Sequence, residues 1–417
     1  MSEYLLTTTL QTLYLHPLSP IPGPFLWKLT RIPYIHSLLS GTLVINTRKH
    51  HSHYGTIMRT APNEASFATE QAWHEIFLNS NNSSQKALPR DPVIGPAFTD
   101  RAVARQEGII QSYVTLMVEK LLGEIGRPGN RKMVMALAGV MQYFPSLESL
   151  ILKLLPARIR KMQAGHFSNA AEKIHRRLQR PEAAVGDFMT VMLDQKNNPN
   201  FSKMSMPEIE SSVALMLLGG SETTGTTICG TINCLIQNPV ELTKLECEIR
   251  NCFDKEEDIT FSALQQLPFL NAVINEGLRL CNPVSGGLLR IVPRGGAVVC
   301  GQFLPEGTHV AMNTIVMAHS EANFHRCLEF LPDRYLPDNL RPAEFKNDNR
   351  NILKPWGLGT RNCLGRSFGQ AELRVVLARL VGILILRLLE TSSSTGMILK
   401  IMLWCRKNLY GLQLSRG

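Results

Sequence analysis

One segment constrains the fold more than any other. Ser205-Met206-Pro207-Glu208 has the pattern of a helix start: serine at the N-cap, proline in the first turn and glutamate three residues after the serine. The matching stop signal is Asn238-Pro239. This spacing predicts one helix over 206–237, about 48 Å long at 1.5 Å per residue. A helix that long and apolar on most faces should run through a core. Its middle, Gly219-Gly220-Ser221-Glu222-Thr223-Thr224-Gly225, is a poor helix sequence inside a good one. Such a local conflict marks a candidate functional site.

The rest of the chain can be arranged around that helix. Two further helices are expected at 240–253 and 268–281. Short extended segments follow at 288–292, 297–300 and 308–312, with turns at Gly295-Gly296 and Pro305-Glu306-Gly307. An irregular stretch rich in Pro and Asn runs over 330–355, and a last long helix starts near Cys363 and ends near Glu390. Up to residue 200 the pattern is mostly helical, with polar loops at 79–96, 127–131 and 194–203. The run His16-Pro17-Leu18-Ser19-Pro20-Ile21-Pro22-Gly23-Pro24 holds four prolines, which remove donors and fix φ. It predicts a stiff, extended lead-in. The expected fold is mostly α with a small β portion before the final helix.

Composition narrows the functional classes. With 44% hydrophobic and 19% charged residues, the 417-residue chain is globular, which excludes a disordered protein. The net charge of +10 is spread along the chain, with no dense basic cluster, so a solvated basic surface is expected and no nucleic-acid site. All nine cysteines lie from Cys229 onward, an odd number that argues for a reducing compartment. The first lysine is Lys28, so no basic signal-peptide start is present, and Met1 to Leu15 is too short and too polar to span a bilayer. The apolar run 375–389 is interrupted by Arg379 and Arg387 and is expected to be a buried core helix.

The chemistry concentrates in Trp356-Gly357-Leu358-Gly359-Thr360-Arg361-Asn362-Cys363-Leu364-Gly365. A thiolate that donates charge to haem iron needs backbone N–H groups aimed at the sulfur. Glycines such as Gly359 and Gly365 let the main chain approach a flat macrocycle. The helix that follows points its positive end at Cys363, which favours the thiolate. Arg361 is placed to pair with a haem propionate. A lone cysteine is more often an apolar filler; this order of aromatic, Gly, Arg, Cys and Gly makes Cys363 the candidate iron ligand.

Two more motifs belong to the same reading. Glu276-Gly277-Leu278-Arg279 places a carboxylate and a guanidinium one turn apart. Alone that is an ordinary surface pair; with Arg334 as a third partner it becomes a structural network that pins the loop before Cys363. In the long helix, Glu222-Thr223 is either part of a small-residue packing face or an oxygen-side pair. In the second case Gly219 and Gly220 leave room for dioxygen, the Thr223 hydroxyl hydrogen-bonds it and Glu222 relays protons for O–O cleavage.

Two rival motifs are set aside. Gly365-Arg366-Ser367-Phe368-Gly369 matches a nucleophile elbow, but no Asp or His follows Ser367 to complete a triad. Cys229/Cys234 and Cys247/Cys252 mimic paired zinc ligands, yet five helical positions turn the chain by about 140°, so neither pair shares a face.

With these pieces in chain order, the sequence resembles the cytochrome P450 family, from the proline-rich lead-in to the end. Tyr14-Leu15-His16-Pro17-Leu18, Tyr54-Gly55-Thr56-Ile57-Met58-Arg59, Trp73-His74-Glu75-Ile76-Phe77 and Leu304-Pro305-Glu306-Gly307-Thr308 are most similar to fungal members such as trichothecene or averantin hydroxylases. The resemblance implies a mostly α single domain with haem b and O2. It also implies electrons from an NADPH-dependent reductase, and a place on the cytosolic face of the endoplasmic reticulum membrane. It implies that Arg290 pairs with a second propionate and that Trp356 stacks where the family usually has Phe. The expected substrate is an apolar small molecule, a polyketide or terpenoid. By the same resemblance, residues 1–24 correspond to a shortened anchor and lead-in, and 25–417 to the catalytic domain. That domain has internal gaps near 90–104, where a propionate-binding helix would lie, and near 131–147. Two alternatives remain open: a reductase-independent haem-thiolate isomerase or dehydratase, against which Glu222-Thr223 speaks, and a defective remnant with poor haem retention and no activity.

Overall fold

The computed structural model describes residues 7, 9–78, 95–123, 153, 157–179, 188, 190, 205–284 and 288–384. The first helices of eight or more residues are α1 (Ile32–Leu39) and α2 (Leu43–Tyr54), followed by strands β1 (Ile57–Ala61) and β2 (Glu64–Phe67) and helix α3 (Glu70–Phe77). Then come α4 (Glu107–Gly123), α5 (Ala157–Leu178), α6 (Met206–Gln237), α7 (Pro239–Cys252) and α8 (Pro268–Leu280). The C-terminal part holds β3 (Leu288–Ile291), β4 (Ala297–Val299), β5 (Gln302–Leu304), β6 (His309–Met312) and α9 (Arg366–Arg379). The fold is mostly α with a small β portion, as the sequence leads one to expect.

The long helix spans the interval its caps define. The Ser205 backbone N–H donates to Glu208 Oε2 at 2.7 Å, which satisfies one of the orphan donors of a helix start. Burial along α6 is uneven. Thr224, Thr227, Cys229, Thr231, Cys234 and Leu235 are buried in its second half, whereas Leu215 in the first half is 70% exposed. A core helix throughout was expected; the structure makes it one from Thr224 onward, with α5 packed on the first half through Ile174 and Ile209.

Two apolar clusters hold the described part together. The larger joins α4, the second half of α6, α7, α8 and α9 through residues such as Ile110, Leu235, Leu245, Val273 and Val376. Helices α6 and α8 approach so closely that a Cβ on Gly277 would lie 2.0 Å from Thr231 Oγ1. Gly277 is therefore the residue that allows α8 to sit against α6. The smaller cluster packs Trp73, Ile76 and Phe77 of α3 on Phe67, Val310 and Met312 of the sheet. That sheet has the order β1-β2-β6-β3, with β2 and β6 parallel and the outer pairs antiparallel; β4 and β5 form a separate hairpin.

Some expectations change. Strands β1, β2 and β5 were not expected, the first two lying in a stretch whose pattern is mostly helical. The lead-in is not extended throughout: Ser19 N donates to His16 O at 2.8 Å and Ile21 N to Leu18 O at 3.1 Å, a turn that buries Leu18 and Ile21. Its last part is extended and tied down, since Arg59 N donates to Pro22 O at 2.7 Å. The last helix starts at Arg366, three residues after Cys363, and continues as a π-helical turn, Leu380–Leu384. The segments 79–94 and 131–147, like the expected end of that helix near 390, lie outside the described residues. Among the described residues no helix is long and apolar enough to cross a membrane.

Candidate active site

The cysteine loop is shaped by contacts at both its ends. Cys363 N donates to Trp356 O at 2.6 Å, Gly357 N to Lys354 O at 2.8 Å and Asn362 N to Gly359 O at 3.2 Å. Gly359 has φ +76°, and a Cβ there would lie 2.4 Å from Phe77 O. Only glycine fits both demands. The Trp356 ring packs against Gly369 in α9, where a Cβ would meet it at 3.1 Å. Upstream, Trp73 Nε1 donates to Ile352 O at 2.9 Å, so α3 holds the start of the loop as well as its middle.

Held this way, Cys363 is exposed at the mouth of α9. The Gly365 N–H hydrogen-bonds its sulfur and favours the thiolate, while partial burial pushes the thiol pKa up more strongly. The sulfur thus has the backbone donor that a haem-ligating thiolate needs.

Beside the loop, Arg290 stands near enough to Arg361 of the loop to feel its charge. Arg290 on β3 lies over the Phe77 ring, 4.4 Å from its centroid, and donates through Nη1 to Leu289 O at 2.7 Å. Burial and then the positive charge of Arg361 lower the Arg290 pKa. Two cations close enough to oppose each other are stabilised by an anion between them. The carboxylates of a haem have that chemistry. The exposed Cys363 sulfur, its Gly365 donor and the Arg290–Arg361 pair therefore fit haem. Phe77 touches both Arg290 and Gly359, a role that no spacing in the sequence announces.

Glu222 and Thr223 lie on α6, half-buried. The backbone around them is bare: a Cβ on Gly219, Gly220 or Gly225 would meet nothing within 4 Å. Thr223 Oγ1 donates back to Gly219 O at 2.5 Å, the local bond typical of threonine within helices. Its neighbour Thr224 hydrogen-bonds Glu372 of α9, so α6 and α9 are latched one residue from Thr223. Burial holds the Glu372 carboxyl at about 7, against 4.5 for an ordinary glutamate. Nothing in the sequence singles out Glu372, because its partner comes from a helix about 150 residues earlier.

The ion network behind the loop forms as expected. Glu276 Oε2 accepts from Arg279 Nε at 2.7 Å, and Oε1 accepts from Arg279 Nη2 at 2.7 Å and Arg334 Nε at 3.2 Å. A fourth member, Asp348, pairs with Arg334 Nη1. Arg279 also donates to Ala318 O at 2.7 Å and Glu329 O at 2.9 Å, and Leu331 N donates to Glu276 Oε1 at 2.9 Å. The network thus fixes the backbone of 318–334 to α8, with both arginine side chains fully buried.

Comparison with known proteins decides the family. The cytochrome P450 family model matches residues 128–387. The chain belongs to the cytochrome P450 family. The averantin hydroxylase of Dothistroma septosporum is 30% identical, over 90% of this chain and 82% of its own. The versicolorin B desaturase of the same fungus is 31% identical, over 90% and 84%. The versicolorin B desaturase of Aspergillus parasiticus is 30% identical over 483 aligned residues, covering 99% of this chain and 95% of its own. That span exceeds the 417 residues present, so this relative carries segments inside the matched region that this P450 lacks. As a P450 of the fungal secondary-metabolism kind, the protein belongs with haem-dependent monooxygenases whose iron is held by a cysteine thiolate.

Proposed function

We propose that Cys363 is the thiolate ligand of haem b, and that this P450 hydroxylates or otherwise oxidises an apolar polyketide- or terpenoid-class molecule. The observation that carries the reading is the exposed Cys363 sulfur with its Gly365 donor, in a glycine-bearing loop that also carries Arg361. Haem, when bound, supplies the activation of dioxygen; the chain's residues hold it and manage protons. Arg361 and Arg290 would pair with the propionates, Trp356 would stack near the haem, and Gly359 and Gly365 would let the loop's main chain approach it. On α6, the bare backbone at Gly219 and Gly220 leaves room next to Thr223. The Thr223 hydroxyl, released from Gly219 O, would donate toward that space, and Glu222 would reprotonate it. Electrons come from NADPH through a reductase, on the cytosolic face of the endoplasmic reticulum, as the family resemblance suggests. Turnover under labelled dioxygen tests this reading. Label in the product with strict dependence on NADPH and reductase supports it; product formed without either identifies a reductase-independent isomerase or dehydratase.

A second reading rests on the internal segments present in the Aspergillus parasiticus relative and lacking here. A P450 without the helix expected near 90–104 loses a cationic propionate partner, at about 1.5–3 kcal/mol for a charge-assisted bond. It then retains haem poorly and turns over little. Haem stoichiometry after purification separates the two readings.

A further inference from the structure

Away from the haem-binding loop, a hollow of about 430 Å³ opens between α8 and the 335–351 loop. It lies within the range of small-molecule sites, and its walls are polar. Three exposed side chains on its wall, those of Asn275, Asn351 and Lys346, make no hydrogen bond to the described residues and are open to a ligand. Arg341 Nε is buried and also without an acceptor. A buried guanidinium N–H left unsatisfied is costly, and such a group in a native structure calls for a ligand or solvent.

The charges point the same way. Arg350 Nη2 donates to Asp338 Oδ1 at 3.0 Å, and Arg341 Nη1 is ion-paired with the same oxygen at 3.0 Å. Two positive charges thus share one exposed carboxylate, leaving one in excess, and Lys346 adds another. The acid on the wall, Asp348, does not cancel them. Its Oδ1 accepts from His325 N at 2.7 Å and its Oδ2 pairs with buried Arg334. Tyr335 completes the wall; burial and the nearby Glu276 charge raise its pKa, so its hydroxyl stays protonated.

We propose that this hollow is a site for a small phosphate-bearing molecule, with Arg341, Lys346 and Arg350 as its cations and Asn275, Tyr335 and Asn351 as neutral partners. Phosphate oxygens accept the charge-assisted bonds of the three cations. The asparagine amides face the hydroxyls or ring nitrogens of the organic part. Because Arg350 and Asn351 stand a few residues before Trp356, a bound ligand also braces the approach to the cysteine loop.

Calorimetric titration of the full chain at fixed ionic strength tests the site, and its readout does not depend on haem. The probes are inorganic phosphate, glucose phosphate and adenosine monophosphate. Saturable binding of at least one is expected, weakened about tenfold by Lys346→Gln, the usual effect of losing one charge-assisted contact. Asn351→Asp, which adds a negative charge to the wall, should weaken it at least as much. Both side chains are exposed and make no hydrogen bond within the described residues, so neither substitution endangers the fold. Tighter binding of an organic phosphate identifies a phosphorylated metabolite as the ligand; tighter binding of inorganic phosphate identifies the free ion. Absence of saturable binding by all three, or equal affinity in parent and both variants, overturns the proposal.

Discussion

Replacing Glu372 by Gln should make the protein more stable at alkaline pH and leave it nearly unchanged in acid. The carboxyl titrates near 7 in the folded chain, against 4.5 for an ordinary glutamate, because burial penalises the charged form more than Thr224 favours it. Below about pH 4.5 the group is protonated in both folded and unfolded chains and contributes no pH dependence. Between 4.5 and 7 the unfolded chain releases the proton first, so the unfolded state binds fewer protons and stability falls as pH rises. At about 1.4 kcal/mol per pH unit, the loss reaches about 3 kcal/mol above pH 7. Glutamine keeps the size and a hydrogen bond to Thr224 but carries no charge. Urea midpoints of parent and Glu372→Gln from pH 5 to 8.5 isolate the effect, since other titrating groups cancel in the difference. The gap should open by about 2.5 kcal/mol across that range. Parallel curves would refute the assignment of a neutral, buried Glu372 and with it the latch between α6 and α9.

Three further outcomes are expected. Thr223→Ala should keep haem and substrate binding but divert reducing equivalents from product to peroxide, since proton delivery loses its hydroxyl; unchanged coupling of NADPH use to product would make Thr223 a packing residue. Asp348→Asn removes one partner of buried Arg334, and breaking a buried pair costs about 3–5 kcal/mol; a loss under 1 kcal/mol in chemical unfolding would place Asp348 outside the network. Gly359→Ala should lower haem content more than global stability, because its Cβ would lie 2.4 Å from Phe77 O in a strained φ region; haem content equal to the parent's would show that the loop can shift freely.

What could be read from the sequence follows from how local each signal is. The bounds of α6 rest on a capping box and an Asn-Pro stop, both contained in a few adjacent residues, and the structure keeps them. Glu276 and Arg279 share one helix face, so their pairing is set by helical spacing, and Arg334 joins through a family-like motif. The strands β1 and β2 were hidden because nearly all their residues are buried, including Arg59 and Glu64, which erases the alternation that marks a half-exposed strand. Phe77, Asp348 and Glu372 act through partners far along the chain, and only packing reveals them. The glycines of the cysteine loop were legible as a class, whereas the need for glycine at 359 comes from Phe77 O, a contact no spacing encodes.

The central claim is that Cys363 ligates the haem iron. The reduced carbonyl complex of parent and Cys363→Ser, each reconstituted with haem, tests it most directly. Only a sulfur ligand donates enough charge to shift the absorption band to the thiolate position. The parent should show the thiolate band and the Cys363→Ser protein should lose it. A thiolate band that survives the substitution would contradict the account and move the ligand to another cysteine.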